Sequence, residues 1–265
     1  MGFSTLVEYS YSFKADSKSD VLILDTYSIP TSDPFLAKKN WRLVLTICDA
    51  FTPKYESDVQ VRPSLLEIHT GLQVPLTLSG PDYVLIRKGI RKSNKEFTVE
   101  EILKVLIVGG GSDPFGFVPA IARVLSSIDM KFDVYAFTNE QLPEDSQVQF
   151  VKNNIGSRLD LIANEIDLVF TTASTSSLEF IAKEIPVGVV CAVDNQADYY
   201  DQLGKLGYAH QIGVFESNQT WNFNLPLIKE LLESQEKRNS LKKATHGLID
   251  LKGAVRVIDV VLSLT

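Results

Sequence analysis

Seven short apolar runs set the terms on which this chain can fold: residues 21–24, 43–47, 83–86, 105–108, 132–137, 168–170 and 187–193. Several are apolar at every position rather than at alternate ones, the mark of strands buried on both faces. Between the later runs lie patterns of helical period at 117–128, 177–185, 198–206 and 226–236, and another, 255–264, closes the chain. In 177–185 the period puts Leu178, Ile181, Ala182 and Ile185 on one face. A strand with two apolar faces needs a layer on each side. Strands alternating with helices supply those layers as right-handed βαβ units on a parallel sheet. The expected class is α/β.

The two halves read differently. From about residue 101 the alternation is regular, as in a complete doubly wound domain. Before about residue 90 there are strands, little clear helix, and turn-rich stretches such as Ile29-Pro30-Thr31-Ser32-Asp33-Pro34. The polar stretch Arg91-Lys92-Ser93-Asn94-Lys95-Glu96 marks the boundary. Two Rossmann-like domains are expected, 1–92 and 93–248, the first abbreviated. A length of 265 residues accommodates two such domains.

Composition removes several function classes. The net charge of −7 and the pI near 5.1 leave no basic face for a phosphate backbone, so nucleic acid is not an expected partner. Trp41, Trp221 and the scattered Phe residues form no stacking ladder for a single strand. No run of about 18 apolar residues occurs, so no transmembrane segment is expected. The start, Met1-Gly2-Phe3-Ser4-Thr5-Leu6, has neither secretory nor myristoylation character. Cys48 and Cys191 sit inside apolar runs without a CxxC partner, which suggests buried thiols and a cytoplasmic location. His69, His210 and His246 are isolated, and no Cys/His cluster or Asp-x-Asp clamp occurs. No metal and no cofactor is expected.

Three loops in the second half carry the functional signal, because ligands of open parallel sheets bind beyond the carboxyl ends of the strands. Gly109-Gly110-Gly111-Ser112-Asp113-Pro114 follows the run 105–108 and enters a helix. Its glycines allow close backbone approach, and helix N-terminal amides attract anions. The plainer reading is a tight turn with Ser112 or Asp113 as helix cap. Neither GxGxxG nor a P-loop is present. The second loop, Ala173-Ser174-Thr175-Ser176-Ser177 before Leu178 and Glu179, has four hydroxyls in five residues where one suffices for a cap. Glu179, read as part of the first turn, suits the helix dipole, and its carboxylate could also accept from ribose hydroxyls. The third, Ala192-Val193-Asp194-Asn195-Gln196, offers amide donors; the plainer reading makes Asp194 or Asn195 a cap. Three such loops on one edge favour a nucleotide or phosphate site.

These residues resemble a known family. Gly110-Gly111-Ser112-Asp113, then Ala173-Ser174-Thr175-Ser176-Ser177-Leu178-Glu179, then Asn195-Gln196 look like the UDP-binding half of the UDP-sugar hydrolases of pseudaminic acid biosynthesis. Those enzymes group with spore-coat polysaccharide biosynthesis proteins and are related to MurG-type glycosyltransferases of GT-B fold. Leu24-Asp25-Thr26-Tyr27, Gly80-Pro81-Asp82-Tyr83-Val84-Leu85-Ile86-Arg87, and the stretch from Ile249 to Val257 resemble further parts of that family. The resemblance implies that Glu179 binds the uridine ribose, that Gly110, Gly111, Ser112, Ser174, Thr175, Ser176, Ser177, Asn195 and Gln196 hold uracil and diphosphate, and that Asp113 is also among the UDP-binding residues. It places the sugar in a cleft facing the first domain and makes 249–265 a helix packing back toward that domain. The implied activity is hydrolysis of a UDP-sugar to UDP and free sugar. A GT-B glycosyltransferase or a catalytically degenerate binding subunit are the alternatives. The family's opening Gly-x-Gly-His segment is missing here, and Thr26 replaces the His of its Asp-His-Tyr strand end. Asp25 and Tyr27 remain as acid/base candidates, with a strand-end hydrogen-bonding role as the alternative for both. Asp49 is a similar strand-end carboxylate. His69 reads as half-buried at a helix end rather than as a ligand, and His210, after a helix near Tyr208, could approach the nucleotide edge but is not counted among the site residues. The sequence leaves the sugar and the oligomeric state open.

Overall fold

A computed structural model describes residues 18–26, 29–48, 55–65, 76–87, 90, 102–110, 113–144, 148–153 and 159–265. The chain divides into two compact units, residues 1–83 with 255–265, and residues 84–254.

In the first unit, β1 (Val21–Leu24), β2 (Leu43–Ile47), β3 (Val59–Val61) and β4 (Leu76–Leu78) pair in chain order, all parallel. Leu22, Leu24, Leu36, Trp41 and Val44 form its core beside β1. The Trp41 indole N–H donates to the Phe35 carbonyl at 2.8 Å, so the ring can be buried without stranding its donor. The C-terminal helix Gly253–Leu264 belongs to this unit from Val255 on. There the Arg256 guanidinium donates to the Asp82 carbonyl at 3.0 Å. The apolar run 83–86 is not a strand. Gly80 takes φ +92° and Tyr83 N–H closes back on the Gly80 carbonyl, so Pro81–Tyr83 forms a 3₁₀ turn and 84–87 continues without regular structure. Val84 is nonetheless fully buried. Tyr83, Leu85 and Ile86 are half-buried around it, so the run packs without pairing as a strand.

The second unit holds β5 (Lys104–Val108), β6 (Asp133–Phe137), β7 (Gln149–Asn153), β8 (Leu168–Thr172), β9 (Val187–Cys191), β10 (His210–Phe215) and β11 (Trp221–Phe223). Its helices are α1 (Phe117–Ser126), α2 (Leu159–Ile162), α3 (Thr175–Ala182), α4 (Ala197–Lys205), α5 (Leu225–Glu233) and α6 (Gln235–Thr245). The sheet order is β11-β10-β9-β8-β5-β6-β7, parallel throughout except for the antiparallel β11. Setting β11 aside, the strands stand third, second, first, fourth, fifth, sixth in order of appearance. This is the doubly wound dinucleotide-fold order, which reverses between β5 and β8. All five residues of β8 are buried, the apolar run 168–170 and the two threonines that follow it. On α1, Phe117, Ile121, Ala122 and Leu125 share the buried face.

The helix expected over 226–236 is two helices. Ser234 ends α5 and its hydroxyl caps α6 by accepting from Lys237 N–H at 3.1 Å. Arg238 then folds under and gives its guanidinium to the Leu231 and Leu232 carbonyls at the end of α5, 2.8 Å each. No helix among the described residues is long and apolar enough to cross a membrane. Cys48 and Cys191 form no disulfide, and both are half-buried rather than buried. Burial and the neighbouring Asp194 and Asp201 push the Cys191 thiol up from its ordinary pKa.

Candidate functional site

The reversal point lies between the carboxyl ends of β5 and β8, where Val108 stands opposite Thr171. The Thr171 hydroxyl donates to the Val108 carbonyl at 2.8 Å and ties the two ends together. After Val108 the chain turns through Gly110 at φ +90° and Asp113 at φ +46°. Gly116 occupies the N-cap position of α1, and Asp113, three residues earlier, supplies the capping oxygens. Its Oδ1 accepts from Phe117 N–H and its Oδ2 from Val118 N–H, both at 2.9 Å, so the start of α1 is satisfied from within the chain. Burial pushes the Asp113 carboxyl above its ordinary pKa, with the two amides opposing. Gly109 makes this geometry possible, since a Cβ there would lie 2.3 Å from Asp113 Oδ1.

At the end of β8 the hydroxyls are used differently. Ser174 occupies the N-cap of α3 in extended backbone but makes no capping bond. Its Oγ pairs instead with the Thr172 hydroxyl at 3.0 Å. The Ser177 hydroxyl donates to the Ser174 carbonyl at 2.7 Å and is fully buried. Simple capping therefore does not account for this loop. The amides of Thr175 and Ser176, which helix geometry leaves without an i−4 partner, have no capping side chain among the described residues. In the third loop neither Asp194 nor Asn195 caps a helix; Gln196 Oε1 accepts from Ala192 N–H at 2.9 Å and folds the loop back onto the end of β9.

Residues of the three loops border one half-open cavity of about 340 Å³. Gly109, Gly110, Asp113, Thr172, Ser174, Thr175, Ser176, Ala192 and Gln196 form its polar side. Pro114, Phe115, Phe117 and Trp221 form the other. No lysine or arginine stands among the described residues that line it, so an anion here meets amides, hydroxyls and the positive end of the α3 dipole. The aromatic wall is held by the Trp221 indole N–H, which donates to the Phe115 carbonyl at 3.0 Å. Trp221 stacks on Phe223 with centroids 5.7 Å apart and packs against Phe215 and Phe117 at 5.0 and 5.3 Å. Sequence reasoning missed this wall. A signal was present in Trp221-Asn222-Phe223, where alternation gathers both rings on one side of β11; Phe115 and Phe117 carry no such period, because left-handed Gly116 separates them at the start of α1.

Several expected residues lie outside the cavity wall. Ser177 and Asn195 do not line it. Glu179 does not either: α3 begins at Thr175, which puts Glu179 in the second turn rather than the first. Its carboxylate is buried, with Oε2 accepting from Arg87 Nη2 at 2.6 Å. Asp25 is exposed just past β1 in the first unit. Gly111, Ser112, Tyr27, Asp49 and His69 lie outside the described residues. His210 opens β10 opposite Gly188, at the amino end of the parallel strands, so it sits on the edge of the sheet away from the cavity. Burial first, then Lys237, lowers its pKa.

No protein-family model and no curated protein matches the sequence. Solved structures do. The chain superposes on MurG of Acinetobacter baumannii with a TM-score of 0.60 at 13% identity, covering 83% of this chain and 67% of that one. The glycosyltransferase SsfS6 of Streptomyces sp. SF2575, complexed with thymidine diphosphate, gives 0.54 at 13% identity over 91% and 69%. The glycotransferase of kitacinnamycin gives 0.52 at 12% over 78% and 55%. The chain thus spans between about half and just over two thirds of the length of these structures. What is shared at such identities is the fold: two Rossmann-like units of the GT-B type.

Proposed function

We propose that this chain binds a UDP-sugar at the carboxyl edge of its second sheet and cleaves the bond between the sugar and the diphosphate. The observation that supports this most is the convergence of the three loops on one cavity at the strand-order reversal, with the N-terminus of α3 uncapped beside it. A diphosphate carries the charge that such a helix end attracts, and donors fixed in place stabilise a leaving group without having to reorganise. Gly110, Gly111, Ser112, Ser174, Thr175, Ser176 and Gln196 are the proposed diphosphate contacts. Asn195 is assigned to the same loop, and Glu179 to the ribose hydroxyls. Asp113 and Ser177 take a supporting role, since their polar atoms hold the two loops in shape. The GT-B neighbours act in accord with this reading, two being glycosyltransferases by name and one of these holding thymidine diphosphate.

In the hydrolytic form of the reaction, a water oxygen bonds to the anomeric carbon, the carbon–oxygen bond to the diphosphate breaks, and UDP departs with the electron pair. The water proton goes to a general base, for which Asp25 is the proposed residue, with Tyr27, two residues on, as the other acid/base candidate. The setting would be a cytoplasmic step in surface-glycan biosynthesis of the nonulosonic-acid or spore-coat type. Transfer to a glycan or lipid acceptor is the second reading, favoured by the transferase neighbours. Titration calorimetry with UDP, followed by product analysis on a UDP-sugar, tests both. Free sugar in the absence of acceptor supports hydrolysis, and UDP release only with acceptor supports transfer. Asp25→Asn should abolish turnover and keep UDP binding; binding without turnover in the unmutated chain would make it a degenerate binding subunit. No heat at millimolar UDP would refute the proposal.

A further inference from the structure

On the nucleotide reading above, we infer that Arg87 is a positioning residue: it fixes the Glu179 carboxylate so that the site selects a ribonucleoside over a 2′-deoxyribonucleoside diphosphate. The Glu179 side chain is only 9% exposed. Oε2 accepts from Arg87 Nη2 at 2.6 Å, while Oε1 carries no hydrogen bond among the described residues. A carboxylate so deeply buried is costly unless its lone pairs are used, and each of its oxygens can accept more than one donor. Oε1 and the second lone pair of Oε2 therefore stand ready for two hydroxyls.

Glu179 is not part of the cavity wall, but the helix register sets it one turn behind residues that are. Thr175 and Ser176 line it, and Glu179 follows them by four and three residues, on the same helix face one turn on. Helical side chains lean toward the N-terminus, which carries the carboxylate back toward the cavity. Vicinal hydroxyls of a ribose would donate to it in short charge-assisted bonds. Arg87 comes from the irregular segment 84–87, distant in sequence, and its side chain stays 55% exposed. An ion pair with one partner so open to solvent contributes little to stability. What it does provide is a single orientation of the acceptor, which a bond to the planar guanidinium sets well.

The test is calorimetric affinity for UDP and for 2′-deoxy-UDP in the unmutated chain, in Arg87→Ala, Arg87→Lys and Glu179→Gln, and in the double variant of Arg87→Ala with Glu179→Gln. The unmutated chain should prefer UDP by about tenfold or more, the scale of one charge-assisted hydrogen bond. Arg87→Ala should weaken UDP by about tenfold and leave 2′-deoxy-UDP within about twofold, since only the diol loses its oriented acceptor. Arg87→Lys should recover part of the loss. The double variant should bind UDP no more weakly than Glu179→Gln alone, the signature of two residues acting as one unit. Equal weakening of both nucleotides in Arg87→Ala would overturn the inference, pointing to a diphosphate contact or a general loosening. So would an unmutated chain that does not discriminate between them. Absence of UDP binding in the unmutated chain is a different failure, because it removes the nucleotide reading and this inference with it.

Discussion

Gly109→Ala should damage this protein far more than a single methyl group at a surface loop normally does. The added Cβ would lie 2.3 Å from Asp113 Oδ1, 2.4 Å from its Cγ and 2.8 Å from its Cβ. The carboxylate cannot yield while keeping its bonds to Phe117 N–H and Val118 N–H. Hydrogen bonds to charged groups contribute about 1.5–3 kcal/mol each, and a lost helix cap typically costs about 1 kcal/mol. Partial rescue of the amides by water brings the expected loss to about 2–3 kcal/mol. For a unit of this size that is a fall in Tm of roughly 4–12 °C. The decisive comparison is the same change in an Asp113→Gly background. Asp113 already sits at φ +46°, where glycine is at ease, and glycine there removes the three atoms that lie nearest the new methyl. Gly109→Ala should then cost little more than Asp113→Gly alone. Urea or thermal unfolding of the four proteins measures the cycle. Additive losses, or a Gly109→Ala protein within about 0.5 kcal/mol of the unmutated chain, would refute the account of this loop.

Other consequences are open to direct measurement. Trp221 lines the cavity and Trp41 is buried in the other unit, so UDP should change the tryptophan fluorescence; Trp221→Phe should abolish the response and Trp41→Phe should keep it. His210 has a folded pKa below its unfolded value, so the stability it contributes is present above about pH 6.5 and lost as pH falls through the lowered folded value. The unmutated chain should therefore lose stability relative to His210→Asn as pH drops from about 8 to about 5, and parallel stability curves would contradict this.

The residues that made the sequence legible are the fully buried ones. β5, β8 and β9 announce themselves because both faces are apolar, and their following loops could be located as candidate sites on that basis alone. β10, β11 and α6 do not. His210 and Gln211 open β10 with polar side chains, and α6 carries Leu241 as its one large apolar buried residue while Arg238 is tucked beneath. Nor does sequence reveal that β8 inserts beside β5 rather than following β7, and that insertion is what creates the reversal point. The roles within the loops needed coordinates for a similar reason. Asp113 and Ser174 both read as plausible caps, yet Asp113 caps with both oxygens and Ser174 turns its hydroxyl to Thr172. The aromatic wall joins Phe115 and Trp221, which are 106 positions apart and meet only because β11 pairs antiparallel at the edge.

The central claim is that the uncapped amides of α3 hold a diphosphate. Thr175 is the first residue of that helix, a position where proline fits the backbone and costs the helix little while deleting the N–H. Titration of UDP into Thr175→Pro, with Thr175→Val as the control for the lost hydroxyl, isolates that amide. The account predicts UDP binding in the unmutated chain, a further loss of about tenfold in Thr175→Pro beyond Thr175→Val, and unchanged thermal stability. Equal affinities in the two variants, or no UDP binding at all, would contradict it.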